Sequence, residues 1–357
     1  MRKLTAAAAA VLLAAAPAFA EGAAKEICWS YFDGKDAGVS EAVALKCCRE
    51  AAEQGDARSQ YLLGYMLEGG KGTAADAAGA LGWYRKAVDQ GYPSAEFVVG
   101  GCYLKGVAVK QDTDEAVRWL KRAAEHGQTD AGASLSTLYA NGNGVKKDMA
   151  EAAKWARVSA DLGNPAAQHM LGTLYLSGMG VSENNEEALR WYRKAAEQGF
   201  AASQYFLGLA YLNGQVVKQD TREALKWLRK AAEQGNADAE ADLGALYYAG
   251  EAVKADYAEA AAWLRKAAEQ GNAGAQQLLG SLYIAGEGVK QDFAEAAKWL
   301  RKSADQDSPE AEYTLGRMYL NGVGVAEDSS EGVKLISEAA GHGHEKAAAL
   351  LKELSGK

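Results

Sequence analysis

Acidic residues spaced three apart recur along this 357-residue chain and could, taken alone, act as pairs of catalytic carboxylates. Each pair precedes a segment whose apolar residues fall at helical spacing. An Asp-x-x-Glu sequence at such a place caps a helix, because its side chains satisfy backbone N–H groups that lack a helical partner. We therefore interpret the pairs as caps rather than as general acids and bases. They are Asp112/Glu115, Asp148/Glu151, Asp220/Glu223, Asp256/Glu259, Asp292/Glu295 and Asp328/Glu331, and Asn184/Glu187 occupies the same positions with asparagine in place of aspartate.

Other candidate chemistry is sparse. His342 and His344 could contribute to a surface metal site, but no third ligand lies nearby in the sequence, which favours a polar turn. Four Gly-x-Gly sequences follow predicted helices and lack a third glycine at phosphate-loop spacing, so we interpret them as interhelix turns. The sequence contains no Walker A, His-Glu-x-x-His, Cys-x-x-Cys or Ser-x-x-Lys motif. We predict no catalytic residue, no cofactor, no metal site and no enzymatic activity.

The candidate residues lie within a 36-residue repeat. A period of this size predicts a solenoid, in which each repeat buries its apolar face by stacking on its neighbours. In repeat 201–236 we predict a first helix that ends at Asn213-Gly214 and a second helix that starts at Asp220. Gly208 has no side chain and would let these two helices approach closely. The strongest markers of the period are Trp83, Trp119, Trp155, Trp191, Trp227, Trp263 and Trp299, then Gly64, Gly100, Gly172, Gly208, Gly244, Gly280 and Gly316, then Tyr103, Tyr139, Tyr175, Tyr211, Tyr247, Tyr283 and Tyr319.

The repeat resembles the Sel1-like repeat, a relative of the tetratricopeptide repeat with a longer loop between its helices. The resemblance rests on Ala-x-x-Gln-Tyr-x-Leu-Gly-x-x-Tyr at 201–211 and Glu-Ala-x-x-Trp-x-x-Lys-Ala-Ala-Glu-Gln-Gly at 223–235, and it covers nearly all of the mature chain. It implies an all-α fold, a right-handed solenoid of antiparallel helix pairs whose first helices line the concave side. It also implies a scaffold or adaptor that binds a protein or peptide partner on that side.

The register of the repeat predicts the domain organisation. Residues 1–20 combine a basic start, an apolar stretch and Ala18-Phe19-Ala20, which predicts a signal peptide cleaved between Ala20 and Glu21 and a periplasmic or secreted protein. Residues 345–357 are predicted to form a capping helix and tail. Between them lie nine repeats, the first of them degenerate, at 21–56, 57–92, 93–128, 129–164, 165–200, 201–236, 237–272, 273–308 and 309–344.

Charge and hydropathy exclude some classes of partner. The chain has 39 basic and 47 acidic residues, and cleavage after Ala20 would remove two basic residues and leave a net charge of −10. An acidic surface without a basic stretch repels phosphate backbones, so we predict no nucleic-acid ligand. After Glu21 no apolar run is long enough to span a bilayer, so we predict no direct membrane insertion. We expect a monomer, although the sequence leaves the oligomeric state open.

Four cysteines lie in the first third of the chain, and in an exported protein they can oxidise. Residues 36 positions apart occupy the same slot of the repeat. Cys28 occupies the slot that glycine holds in the first helices of later repeats, and Cys48 occupies the core slot that Tyr84 holds in the next repeat. These slots should face each other, so we favour a Cys28–Cys48 disulfide, with Cys47 as the competing partner and Cys102 as a buried free thiol. Cysteine-rich members of the family place their cysteines at other slots in most repeats. A cell-wall-active enzyme or β-lactam-binding protein similar to those relatives is the alternative function.

If the first helices line the concave side, a binding surface there would be formed by the residues of these helices that face outward. Apolar residues at these slots are more frequent in the earlier repeats, and a contiguous exposed apolar patch is typical of a binding surface. The alternative is that curvature buries these side chains against neighbouring helices. The partner-binding candidates are Leu62, Tyr65, Val98, Met170, Phe206 and Leu209.

Overall fold

The computed structural model describes residues 22–35 and 38–355, so the predicted signal peptide lies outside the described residues. Over these two ranges the chain forms nineteen α-helices and no strand, which confirms the all-α prediction. Among them, no helix has both the length and the apolar character needed to cross a membrane. The helices are α1 (Ala23–Phe32), α2 (Glu41–Glu53), α3 (Ala57–Glu68), α4 (Ala77–Asp89), α5 (Pro93–Lys105), α6 (Thr113–Glu125), α7 (Thr129–Asn141), α8 (Met149–Asp161), α9 (Pro165–Ser177), α10 (Asn185–Glu197), α11 (Ala201–Asn213), α12 (Thr221–Glu233), α13 (Ala237–Ala249), α14 (Tyr257–Glu269), α15 (Ala273–Ala285), α16 (Phe293–Ala304), α17 (Pro309–Asn321), α18 (Ser329–Gly341) and α19 (Glu345–Ser355).

The contacts divide the chain after Asn184 into an N-terminal block with α1–α9 and a C-terminal block with α10–α19. Within each block, every helix packs against the next one in sequence. Odd-numbered helices up to α17 are the first helices of the repeats, and even-numbered helices are the second. The pairs run antiparallel: near the end of α8, the Ser159 hydroxyl donates to the carbonyl of Thr129 at the start of α7, at 2.6 Å. Each block is therefore a stack of antiparallel helix pairs.

The aspartates of the predicted cap pairs begin the second helices, as expected. At the start of α12 the Asp220 carboxylate accepts hydrogen bonds from the backbone N–H groups of Arg222 and Glu223, at 3.0 and 3.1 Å. The glutamate of the Asp-x-x-Glu sequence does not accept the N–H of the capping residue, because the Asp220 N–H donates to the carbonyl of Tyr211 at 2.9 Å. Glu223 is thus left to pair with Lys226 at 3.0 Å. Equivalent aspartate caps are made by Asp112, Asp148, Asp256, Asp292 and Asp328.

The repeated tyrosine ties three helices together. The Tyr247 hydroxyl on α13 accepts a hydrogen bond from Arg229 on α12 at 2.8 Å. Its carbonyl accepts the N–H of Asp256, the cap of α14, at 3.0 Å. In the N-terminal block, Tyr103 likewise accepts from Arg85 of the preceding second helix, at 3.4 Å. Tyr247 therefore fixes α13 to the second helices before and after it in sequence.

The repeated tryptophans pack on the second helices. Trp191 is fully buried, and Trp155, Trp227, Trp263 and Trp299 are nearly so. In four of these repeats a lysine three residues later covers a ring face, with the Lys194 Nζ 4.1 Å from the ring centroid of Trp191. This contact adds a cation–π attraction while the lysine stem excludes water from the ring. The tryptophans are core residues rather than ligand-binding ones.

The repeated glycine faces the residue twenty positions later on the paired helix. A Cβ atom on Gly208 would lie 2.6 Å from Cγ of Leu228, so only glycine allows this approach without a shift. In the first repeat, Cys28 and Cys48 occupy the same pair of slots, and their Sγ atoms lie 2.05 Å apart in a disulfide. Cys47 and Cys102 are buried free thiols. The bonded pair is thus the one favoured by the register, and Cys47 is not its partner.

Loss of the disulfide should weaken the first repeat. The bridge closes a loop with a sequence separation of 20, for which the chain-entropy model gives a stabilisation of about 3 kcal/mol. We expect the double variant Cys28→Ser/Cys48→Ser, and the native protein in reductant, to lose about that much free energy of unfolding in urea titrations followed by circular dichroism. Reductant should leave the double variant unchanged. A further loss in that variant would show that another bridge contributes.

Candidate partner-binding surface

The partner-binding candidates of the N-terminal block lie on α3, α5 and α9. Leu62 is only 6% exposed and belongs to the core of the block, because α1 also contacts α3. This corrects its assignment to a binding surface. Tyr65 is 42% exposed, although its ring contacts the Phe32 ring edge-on at 5.7 Å. Val98 and Met170 are half-buried.

The two candidates of the C-terminal block lie on α11 and differ in environment. The Phe206 ring stacks on the buried ring of Tyr192 with a centroid separation of 3.8 Å. Phe206 is therefore half core, and a charged substitution there would disturb packing as well as any surface. Leu209 is half-buried. Of these two residues, Leu209 is the cleaner probe of a binding role.

Polar residues on the first helices partly satisfy one another. The Tyr205 hydroxyl on α11 donates to Asp242 Oδ2 on α13 at 3.0 Å. Burial raises the pKa of the Asp242 carboxyl, and it also raises the pKa of Tyr205, with the Asp242 charge adding to that rise. This hydrogen bond links the first helices of consecutive repeats. Asp242 is thus partly occupied within the chain and is not a free acidic group.

Each block has a groove where consecutive first helices meet, and the two grooves share three slots of the repeat. In the N-terminal block a groove of about 450 Å³ is lined by residues that include Leu104 of α5 and Leu138 of α7. In the C-terminal block a groove of about 200 Å³ is lined by Ile284 of α15 and Met318 of α17, which occupy the same repeat slots. Arg317 also lines the second groove. Each groove has an apolar floor and at least one polar side chain beside it.

Several exposed apolar residues were missed by the sequence analysis. Val107, Met179 and Val323 follow the glycine that ends a first helix, and each is 36–44% exposed. Other repeats place polar residues such as Asn143 or Glu287 at this slot, which is the signal that could have revealed them. Val323 also lines the groove beside α17. These loop residues extend the apolar face at the ends of the first helices.

A buried polar slot runs through both blocks and pairs residues thirty positions apart. Gln204 Oε1 accepts from Gln234 Nε2 at 2.6 Å, and Glu240 accepts from Gln270 at 2.8 Å. Burial is the largest influence on the Glu240 carboxyl and raises its pKa. In two repeats the pair is glutamate and histidine, Glu96 with His126 and Glu312 with His342. Among the described residues, Asp307, Glu312 and His342 form a group with the ligand types of a metal site.

Family membership follows from the sequence of every repeat. The Sel1 repeat profile matches residues 23–56, 57–92, 93–128, 131–164, 165–200, 201–236, 237–272, 273–308 and 309–344. The chain belongs to the Sel1 repeat family. Sel1 repeats generally serve as interaction scaffolds for other proteins rather than as enzymes. No curated protein matches this chain significantly.

Two solved Sel1 repeat structures resemble this chain over most of its length. A Sel1 repeat protein from Oxalobacter formigenes is 33% identical with a TM-score of 0.64, and the match covers 89% of this chain and 95% of that one. The c5321 protein, a protective antigen of uropathogenic Escherichia coli strains that displays an SLR fold, is 30% identical with a TM-score of 0.52. That match covers 94% of this chain and 79% of the antigen. Both likenesses support the Sel1 repeat fold described above.

Proposed function

We propose that this chain is an exported, non-catalytic Sel1 repeat scaffold that binds a protein or peptide partner along its first helices. The observation that carries the proposal is the groove that recurs between consecutive first helices, with Leu104 and Leu138 in one block and Ile284 and Met318 in the other. A repeated groove with an apolar floor and polar edges can accept side chains of an extended or helical segment. Tyr65, Val98, Met170 and Leu209 would add contacts beside it.

The chemistry of the partner follows from charge and family. Proteins of the Sel1 and tetratricopeptide type typically bind proteins. The mature chain would carry a net charge of −10, which disfavours nucleic acid. Arg317 beside the C-terminal groove offers a cation to an acidic side chain of the partner. These features favour a protein or peptide with apolar anchor residues.

Export is part of the proposal and has its own support. A disulfide between Cys28 and Cys48 is compatible with an oxidising compartment, since such bonds are rare in the cytosol. The sequence of residues 1–20 has the three parts of a cleavable signal peptide. Mass spectrometry of the protein isolated from its native cells should give a mature N-terminus at Glu21. An N-terminus at Met1 would overturn this part.

The binding face can be tested by site-specific photocrosslinking in native cells. A photoreactive residue would be placed at one slot of the first helices, at Gly101 and Thr137 in one block and Ser281 and Arg317 in the other. Matched controls occupy one exposed slot of the second helices, at Arg118, Lys154 and Lys298. We expect a discrete crosslinked protein from first-helix positions alone. Equal labelling from the control positions, or none from the first helices, would contradict the proposal.

The enzymatic alternative has a simple test. A scaffold without catalytic groups should not hydrolyse the β-lactam nitrocefin. Purified protein with its disulfide intact should therefore show turnover no faster than a heat-unfolded sample. Turnover that depends on the folded protein would instead support the cell-wall-active or β-lactam-binding alternative.

A further inference from the structure

Three residues of the last two repeats, Asp307, Glu312 and His342, converge near the start of α17. Asp307 occupies a slot that is glycine in the other repeats, and it keeps the left-handed backbone of that slot with φ at 60°. Glu312 occupies the buried slot at which Gln204 and Gln276 stand in other repeats. His342 follows α18 and replaces the glutamine that normally pairs with that slot. Left-handed backbone disfavours a side chain, so an aspartate at 307 carries a conformational cost.

The three side chains present ligand atoms to one another. His342 Nδ1 lies 3.1 and 3.0 Å from the two carboxylate oxygens of Glu312. One ligand atom from each of Asp307, Glu312 and His342 lies within 4.8 Å of the others. Ligands of a tetrahedral zinc ion are about 3.4 Å apart, given bond lengths near 2.1 Å. Asp307 is exposed on a loop, so its carboxylate can move the remaining distance.

The N-terminal block holds the same glutamate–histidine pair in a different electrostatic setting. Glu96 is fully buried, and its carboxylate pairs with both His126 and Arg122, at 2.8 and 2.6 Å. The arginine supplies the positive charge that a buried carboxylate requires. The slot corresponding to Asp307 is Gly91 in that repeat, so this slot supplies no second carboxylate. The Glu96 pair is therefore complete within the chain.

The C-terminal pair lacks that cation. Glu338 stands at the slot of Arg122, and its own cation is Lys334 of the same helix, at 3.7 Å and exposed. Besides Glu312, the carboxylates of Asp307 and Glu338 lie close enough to interact electrostatically with His342. Glu312 is only 2% exposed, and its carboxylate pairs with the His342 imidazole at 3.0 Å. The cluster carries more negative charge than its positive groups balance.

We propose that Asp307, Glu312 and His342 bind a divalent transition metal of the Zn²⁺ type. One imidazole nitrogen and two carboxylates are ligands that Zn²⁺ accepts, and water would complete the coordination. Ca²⁺ and Mg²⁺ prefer oxygen ligands alone, so the Nδ1 atom disfavours them. The proton that His342 shares with Glu312 would pass to solvent as the metal takes its place. The ion would fasten the loop before α17 to the end of α18.

His344 is not part of this site. Its Nε2 lies 3.0 Å from Glu310, and its Nδ1 accepts the backbone N–H of Ala347 at the start of α19, at 3.0 Å. Its ring also stacks on Tyr313 with a centroid separation of 4.4 Å. In the sequence, His342 and His344 lie two residues apart with no third ligand nearby. The remaining ligands come from residues thirty or more positions earlier in the chain.

Calorimetric titration of the tag-free, chelator-treated full chain with Zn²⁺ tests the site. We expect one ion per chain, and at least a tenfold weaker association constant in Asp307→Gly and in His342→Gln. Both substitutions restore residues that other repeats use at these slots, so they should fold. His126→Gln changes the equivalent histidine of the complete pair and should leave Zn²⁺ binding unchanged.

A second measurement uses thermal unfolding. Zn²⁺ should raise the Tm of the native chain and of His126→Gln, and it should not raise the Tm of His342→Gln. No Zn²⁺ binding by the native chain would overturn the proposal. Zn²⁺ binding that persists unchanged in Asp307→Gly and His342→Gln would also overturn it. So would displacement of the bound Zn²⁺ by a tenfold excess of Ca²⁺. None of these outcomes bears on partner binding by the first helices.

Discussion

Replacing Gly288 with alanine is expected to lower the free energy of unfolding by about 4 kcal/mol or more. Gly288 has φ at +68°, which disfavours any side chain, and it closes the loop after α15. A Cβ atom there would lie 2.0 Å from the carbonyl oxygen of Tyr257 and 2.2 Å from its carbonyl carbon. These are backbone atoms at the start of α14, so no side-chain rotation relieves the overlap. Urea unfolding followed by circular dichroism measures the loss.

The matched control is Gly271→Ala in the loop before α15. Gly271 also has positive φ, at +98°, but a Cβ atom there would meet no atom within 4 Å. This variant should lose only the conformational cost, about 1–2 kcal/mol. The difference between the two variants isolates the contact between the loop and α14. Equal losses would show that the loop moves away without cost and that this contact does not stabilise the stack.

Truncation of Trp191 to alanine should produce a loss of similar size. Trp191 is fully buried on α10 and lies under Lys194. Removal of a large buried side chain leaves a cavity, which typically costs about 3–5 kcal/mol. We expect the lowered urea midpoint to be accompanied by faster amide hydrogen exchange in α10 and α11, because stability in a solenoid is transmitted mainly between neighbouring helices.

Two comparisons make the tryptophan result specific. Trp191→Leu should lose less than Trp191→Ala, because leucine fills more of the cavity and Leu335 already occupies this slot, 2% exposed, in the last repeat. Trp83→Ala should also lose less, since Trp83 is only half-buried. If all three variants lost the same free energy, burial of the ring would not explain the recurrence of tryptophan at this slot.

The fold could be predicted from the sequence because the determinants of each repeat are local. Helical spacing of apolar residues, the Asp220 cap and the Gly214 stop are read within one repeat, and φ at Gly214 is +68° as a left-handed helix end requires. The disulfide pair followed from register alone, since Cys28 and Cys48 occupy slots that face each other in other repeats. The hydrogen bond from the Asp220 N–H to the Tyr211 carbonyl was not foreseen, because that carbonyl lies outside the local cap motif.

The candidate surface was less predictable, because exposure depends on helices that are distant in sequence. Leu62 and Tyr65 share one helix face, yet Leu62 is core and Tyr65 is exposed. Phe206 was chosen as a surface residue, although its ring stacks on Tyr192. The grooves between first helices also require two repeats in contact and leave no mark within one repeat.

The sequence alone determined the period, the helix pairs and the residues that each pair buries, because a repeat encodes its own caps and core. Only the tertiary structure decided which slots retain exposed surface and which polar residues meet. Asp307, Glu312 and His342 come together because the start of repeat 309–344 lies beside its own end and beside the end of the preceding repeat. Burial and electrostatic balance are sums over neighbouring helices, and those neighbours are defined only when the repeats have stacked.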